Sequence, residues 1–187
     1  MNTGSTAGLR EAAQGLAEDF IVFNTRPFPC DWGYLALDRI ASVAESTGAD
    51  LLYSDYYELV EAPDGGTIRR KHPVRDSAGG ALRDGFDLGP VLVVRSSSFL
   101  EALEGMNVER SFGSLYDLRL RMDRIVHIGE YLYTEIETDL RKSGEKQFDY
   151  VNPRNREVQI EMEEICTEHL KRIGAYIAPG FRTVSPD

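Results

Sequence analysis

The chain has little cysteine: Cys30 and Cys166 are the 2 in 187 residues. They fall in separate predicted elements, so they form neither a disulfide framework nor a zinc spacing. Histidine is almost as scarce, and His72, His127 and His169 have no partner at metal-ligand spacing. No apolar run approaches the ~20 residues that a membrane-spanning helix needs. The opening MNTGSTAGLREAAQG lacks the basic start and apolar stretch of a secretory signal. With those features absent, the cytoplasm is the expected location. Basic charge is in deficit, with 21 Lys and Arg against 31 Asp and Glu and a net charge of -10. Such a surface repels phosphate backbones and argues against a nucleic-acid partner. What is present suits a folded domain: 42% hydrophobic residues supply a core, and 28% charged residues with 8 prolines do not describe a disordered chain. The length fits one domain of ordinary size.

The patterning predicts helices and strands in alternation. Residues 5–18 read as a helix capped by Ser5 or Thr6, with Leu9, Ala12, Ala13 and Leu16 on one face. DFIVFN is a continuous apolar run that fits a strand buried on both faces. The Pro-rich PFPCDWG reads as a loop, and Asp31 as the cap of a helix over 32–47 that stops at Gly48. ADLLYSD is a second strand, ending at Ser54-Asp55. The order helix, strand, helix, strand argues for an α/β layer with parallel strands.

YELVEAPDGGTIRRKH then reads as a β-hairpin, with Asp64-Gly65-Gly66 supplying positive φ angles. Residues 73–89 read as loop, PVLVVRS as a strand, SSFLEALEG as a helix closed by Gly105, and 114–122 as a helix. RIVHIGEYLYTEI is strand material broken at Gly129. Residues 138–151 read as polar and extended, and Asn152-Pro153 as the start of a last helix over 153–174. That helix is expected to bury Val158, Met162, Ile165, Leu170 and Ile173.

Several residues bear a chemical reading beside a plain one. Asp55 stands at the carboxyl end of a predicted strand, where α/β sheets bind ligands; it also suits a turn that caps free N–H groups. Asp55, Tyr56, Tyr57 and Glu58 together offer a sugar stacking faces and carboxylate acceptors, although tyrosine is common in strands. Arg69-Arg70-Lys71-His72 is the densest basic cluster, suited to a phosphate or a carboxylated partner, or to protecting an edge strand. His127, with apolar neighbours, reads as a core or strand-face histidine. Trp32 reads as packing on the first helix. Ser96-Ser97-Ser98 reads as a helix start.

Five segments in series, spanning Gly8 to Tyr133, carry a resemblance: GLREAAQGLAEDFIVF, the helix with ADLLYSDYYE, FDLGPVLVVRSSSFLEAL, SLYDLRLRM and RIVHIGEYLYTE. In that order they resemble the later part of family-2 glycosyltransferases with the GT-A fold. The resemblance implies a truncated, GT-A-like three-layer α/β fold. Its mixed central sheet is flanked by helices, and it carries a β-hairpin and a long C-terminal helix. Residues 1–150 would form the glycosyltransferase-like domain, and 151–187 a C-terminal helix packed on it plus a linker-like tail.

The implied activity is sugar transfer from a nucleotide-sugar donor to a glycan acceptor, of inverting type, in polysaccharide biosynthesis. The family's DXD carboxylates hold Mg or Mn against the donor diphosphate. Here Asn24, Thr25 and Arg26 occupy that position, so no metal or other cofactor is expected for this chain, and Arg26 is the candidate for meeting phosphate directly. The family's catalytic Glu-Asp precedes an aromatic-Asp-Leu step. Here Ser114-Leu115 precede Tyr116-Asp117-Leu118, which leaves Asp117, for a helix starting one turn later, and Asp55 as candidate bases. The plain reading of Asp117 is a first-turn carboxylate stabilising its own helix.

The strand–helix–strand unit that opens the family, about 80 residues by the usual size of such units, has no counterpart before Gly8. The sheet edge that it would cover is then expected to meet another domain or chain. A degenerate domain, non-catalytic alone and part of a longer transferase, is the leading expectation. An active enzyme using Arg26 with Asp117 or Asp55 is a second. A carbohydrate- or protein-binding scaffold without transfer chemistry, using the Tyr56–Glu58 face, is the alternative.

Overall fold

Two long strands make the centre of the molecule, seen in a computed structural model that describes residues 3–62, 65–78, 80–136 and 156–180. They are β3 (Leu51–Glu61) and β6 (Ile125–Glu135), hydrogen-bonded in parallel. In chain order the other strands are β1 (Phe20–Asn24), β2 (Cys30–Trp32), β4 (Thr67–His72) and β5 (Val91–Arg95). Antiparallel β5 sits between β1 and β3, β2 pairs with the far side of β6, and β4 folds back on the second half of β3. The result is one curled, mixed sheet in the order β1-β5-β3-β6-β2. Phe20–Phe23, Leu51–Tyr53 and Val91–Val94 therefore share a sheet.

The helices are α1 (Thr6–Ala13), α2 (Ala36–Thr47), α3 (Ser96–Gly105), α4 (Ser114–Leu120) and α5 (Arg156–Arg172). α2 lies against β6 and α3 against β5. The core is continuous through Leu51, Leu52, Val94, Ile40, Phe99 and Leu118. A fully buried side chain such as Phe99 contributes roughly 1.5–3 kcal/mol. Among the described residues, no helix is long and apolar enough to cross a membrane.

Local signals place many of the boundaries. The Ser5 side chain accepts the Gly8 N–H at 3.2 Å, and Gly48 closes α2 at φ 64 with its N–H on Ala44 O. The β3–β4 hairpin closes through Ala62 N–H to Gly66 O (2.8 Å), with Gly65 at φ +82. Pro63 and Asp64 of that turn lie outside the described residues. So do Gly79, the 138–151 segment, the Asn152-Pro153 helix start and residues 181–187 of the tail.

Other expectations need correction. β1 is not buried on both faces. It is an edge strand in which Phe23 packs edge-on against Phe99 while Val22 is 46% exposed. The strands are not a parallel layer, because among the described residues only β3 and β6 pair in parallel. The helix–strand alternation indicates that β1 and β3 run the same way, and they do, but it says nothing of adjacency, and β5 inserts between them. PFPCDWG is not all loop: Cys30–Trp32 pair with Tyr133–Glu135. Asp31 consequently caps nothing; it lies opposite Thr134, and α2 begins four residues after Trp32, preceded by Leu35 at φ 54. Trp32 packs on Tyr133 at 5.7 Å rather than on the first helix. Helix α1 is shorter than 5–18, and Gly15 at φ 72 follows its end. α5 fully buries only Ile165; Val158, Met162 and Leu170 are half-covered and Ile173 is exposed, because the helix leans on α4 and not on the sheet.

Candidate functional site

The strand β3 does not stop at Ser54-Asp55. Its apolar run ends there, but the backbone continues because Tyr56 to Glu58 find partners on both β4 and β6. The β3–β6 register breaks at that point instead. Leu51–Ser54 face Ile125–Ile128, and then Asp55 faces Tyr131, so Gly129 and Glu130 bulge out of the pairing. The predicted break at Gly129 is this bulge.

Beside the bulge, Asp55 is buried, and its Oδ1 accepts the Val74 N–H at 2.9 Å. The same oxygen lies 2.9 Å from His127 Nε2, while His127 Nδ1 lies 2.7 Å from Asp76 Oδ1. Tyr53 stacks on the His127 ring at 5.0 Å. The Tyr53 hydroxyl donates to Arg75 O and accepts the Ser77 N–H, both at 2.7 Å. Burial pushes the Tyr53 hydroxyl up to about 12, so it remains a donor. Together these groups fasten the segment 74–77 to the first halves of the two central strands.

A second station lies further along β3. Glu58 Oε1 is 2.8 Å from His72 Nδ1, and Asp87 Oδ2 is 2.8 Å from His72 Nε2. Arg70 donates to Glu58 Oε2 at 2.6 Å. Burial raises the Glu58 pKa, but the bonds from Arg70 and His72 outweigh it and hold the carboxyl below its ordinary value. Asp87 is lowered against burial in the same way by His72 and the Gly89 N–H. Each of the two histidines thus sits between a carboxylate on β3 and one on the 73–89 loop.

The β3 alternation separates residues that look contiguous in sequence. Tyr56 is fully buried, stacked between His72 at 4.5 Å and Tyr133 at 5.4 Å. Gly89 closes over this stack: a Cβ there would lie 2.9 Å from the Tyr133 hydroxyl, at φ +76. Tyr57 lies on the opposite face, 4.9 Å from Tyr131, with Arg69 over its ring at 4.1 Å and Lys71 over Tyr131 at 5.1 Å. Tyr56 with Glu58 and Tyr57 with Tyr131 are therefore two surfaces, and only the second offers rings at the surface.

Arg26 Nη1 donates to the buried Glu135 at 2.7 Å and to the Tyr56 hydroxyl at 3.4 Å. Burial lowers the Arg26 pKa, but Tyr56 and Glu135 outweigh it and raise the value overall. Asn24 turns its amide back on its own loop, donating to Phe28 O and accepting the Arg26 N–H. Thr25 donates its hydroxyl to Pro90 O at 3.1 Å. An amide, a hydroxyl and a guanidinium held this way do not fit a divalent cation, which needs anionic oxygens. Among the described residues, no group of three or more His, Cys, Asp or Glu is arranged to hold a metal ion.

Asp117 lies in the first turn of α4, which begins at Ser114 and not one turn later. It is buried, and Arg121 Nε donates to it at 2.8 Å from one turn on. Of the residues singled out in sequence, the fold brings Arg26, Tyr56 and Glu58 into one neighbourhood. It puts Asp55 at a different station and leaves Asp117 on α4.

Sequence reasoning missed the partners that complete these stations: His127 with Asp76, His72 with Asp87, and Glu135 with Tyr133. A parallel register that sets Tyr53 opposite His127 would have paired His127 with the end of β3, but single strands do not announce their register. No protein-family model, curated protein or solved structure matches the chain.

Proposed function

We propose that the chain is a glycosyltransferase-like domain of the family-2, GT-A type that serves the acceptor side of sugar transfer and is non-catalytic alone. The five segments that carry the resemblance supply β1, β3, β5, β6 and the helices between them, which supports a common fold. One observation carries the loss of catalysis: the residues at the metal and base positions are committed to structural bonds. Arg26 is paired with buried Glu135, and Asp117 is paired with Arg121. A general base must be free to take a proton from the acceptor hydroxyl, and Asp117 is turned to its own helix. Arg26 meets a carboxylate where the donor diphosphate would need it.

The test is donor hydrolysis by the purified chain, across uridine, guanosine and thymidine diphosphate sugars with Mg or Mn present. The expected outcome is no turnover above buffer. Turnover that disappears in Asp117→Asn would establish an active transferase instead.

A second reading, a carbohydrate-binding scaffold, is favoured by the surface rings of Tyr57 and Tyr131, with Arg69 and Lys71 over one face of each. Aromatic faces stack on sugar rings, and the cations meet acidic sugars. This reading predicts binding on a glycan array without any nucleotide, lost in Tyr57→Ala and kept in Tyr34→Ala, a highly exposed tyrosine outside that face. Flat responses across acidic and neutral glycans would discard it.

A further inference from the structure

A further cavity shares Ser77 with the His127 station. It has a volume of 530 Å³ and opens where β3 and β6 begin, between Asp50 and Ile125. Ser77, Ala78 and Gly80–Leu82, the first turns of α3, the end of α4 and the last turn of α5 surround it. That volume is within the roughly 300–1,000 Å³ of small-molecule sites.

Its charged lining is made of three carboxylates, Asp50, Glu101 and Asp123, and three guanidiniums. Of the carboxylates, Asp50 is occupied: Oδ1 accepts the Ser98 hydroxyl at 2.6 Å and Oδ2 accepts the Arg124 N–H at 2.8 Å. Glu101 and Asp123 stand exposed. Against them, Arg119, Arg121 and Arg172 line the same space.

Arg119 is buried and uses Nη2 on the loop carbonyls of Ala81 and Arg83. Arg121 turns Nε and Nη2 to Asp117, while its Nη1 lies over Gly105, where a Cβ would come within 2.6 Å. Arg172 uses Nη2 on Leu120 O and on His169 Nδ1, both at 2.8 Å. A guanidinium has five N–H donors. On both Arg121 and Arg172, further donors have no hydrogen-bond acceptor among the described residues.

The cations also act on one another. Burial, and then the neighbouring Arg121, lower the Arg172 pKa against the opposing pull of Asp117, Asp123 and Glu168; burial, and then Arg172, lower that of His169 against the Leu120 backbone and Asp117. His169 accepts from Arg172 at Nδ1, so it presents a neutral ring to the cavity. Cations crowded together in a partly desolvated hollow gain from a counter-charge that reaches both.

We propose that this cavity is a binding site for a small phosphorylated molecule, with Arg121 and Arg172 taking the phosphate and the hollow beside Ala78 and Gly80–Leu82 taking the rest. Guanidinium N–H pairs match phosphate oxygens in geometry and charge. The remaining wall, Ala78, Ala102, Leu120 and Met122 with the Ser98 hydroxyl, suits a compact body with mixed polarity.

The experiment is titration calorimetry on the full chain with three probes: inorganic phosphate, glucose 6-phosphate and adenosine 5′-monophosphate. Sulfate at matched ionic strength reports plain screening. The expected result is saturable binding of one of the two organic phosphates, at least about tenfold tighter than inorganic phosphate or sulfate. Affinity should fall about tenfold or more in Arg172→Ala, a loss of one charge-assisted pair. Arg172→Lys retains a donor for Leu120 O and a positive charge, so it should fold normally and bind with an intermediate constant. Arg121→Ala also frees Asp117; if it misfolds by circular dichroism, the Arg172 pair alone decides. No saturable isotherm with any probe overturns the proposal, as does an affinity unchanged in Arg172→Ala. Equal affinity for sulfate and all three phosphates, showing an adventitious ion only, overturns it too.

Discussion

The centre of the sheet and the attachment of α5 are held by different physics. Around Leu51, Leu52 and Val91–Val94, side chains bury without polar groups to satisfy, and stability follows apolar area. At α5 a single residue, Ile165, is fully buried. There the contact is mostly ionic. Glu161 accepts the N–H groups of Ser111, Phe112 and Gly113 at 2.6 to 2.9 Å, which clamps the loop leading into α4. The buried guanidinium of Arg110 donates to Glu164 and Glu168. The lesson is that one short chain carries a region that resists salt and acid and a region that answers to both.

The largest expected effect tests the apolar side of this contrast. Leu52→Ala removes a side chain with no exposure and leaves a cavity beside Val93 and Tyr53, costing about 2–5 kcal/mol. Denaturant unfolding followed by circular dichroism should show one transition shifted to lower denaturant. A shift confined to the helical signal would mean that the sheet is not the cooperative core.

A smaller, local effect is expected at the seam. A Cβ on Gly113 would clash with the Ile165 Cδ1 and come within 3.1 Å of the Met162 sulfur. Gly113→Ala should therefore push α5 away, costing about 1–3 kcal/mol as overpacking does. Hydrogen exchange should speed up in α5 and leave β3 and β5 protected. Uniform acceleration would show that α5 and the sheet unfold together.

The smallest effect concerns pH. Burial raises the Glu161 pKa, but the three backbone N–H bonds and Arg110 outweigh it and hold the carboxyl below its ordinary 4.5. A carboxyl depressed on folding stabilises above the unfolded value and loses that contribution as pH falls through the folded one. Protection of the α5 amides should then fall as the solution is acidified below about 4.5. Glu161→Gln, which keeps an oxygen acceptor, should lower protection by about 1 kcal/mol at neutral pH and remove most of the acid response. An acid response of equal size in the variant would assign it to other carboxylates.

The same contrast explains what was legible beforehand. The β-strand cores were readable because apolar runs such as VLVV and LLY have one stable solution, which is burial in a sheet. Hairpin and helix stops were readable where glycine performs a backbone task, as at Gly65 and Gly48. Cys30–Trp32 was unreadable as a strand, since three residues hold their place only by pairing with Tyr133–Glu135. The burial on α5 is less than its periodicity suggests because the helix packs on α4, around Gly113, and not on the sheet.

For the site, chemistry-bearing residues such as Asp55, Glu58 and Arg26 were visible as types, but their partners were not. Asp55 meets His127 across 72 residues, and Arg26 meets Glu135 across 109. By itself the sequence determined most element types, β2 excepted, the acidic balance and the hairpin, because propensity, charge and turn geometry are local. Only tertiary structure decided that β5 lies between β1 and β3, that β3 runs on past Asp55, and that arginines from two helices converge on one cavity. Those outcomes depend on register and on long-range contact, and no local preference encodes either.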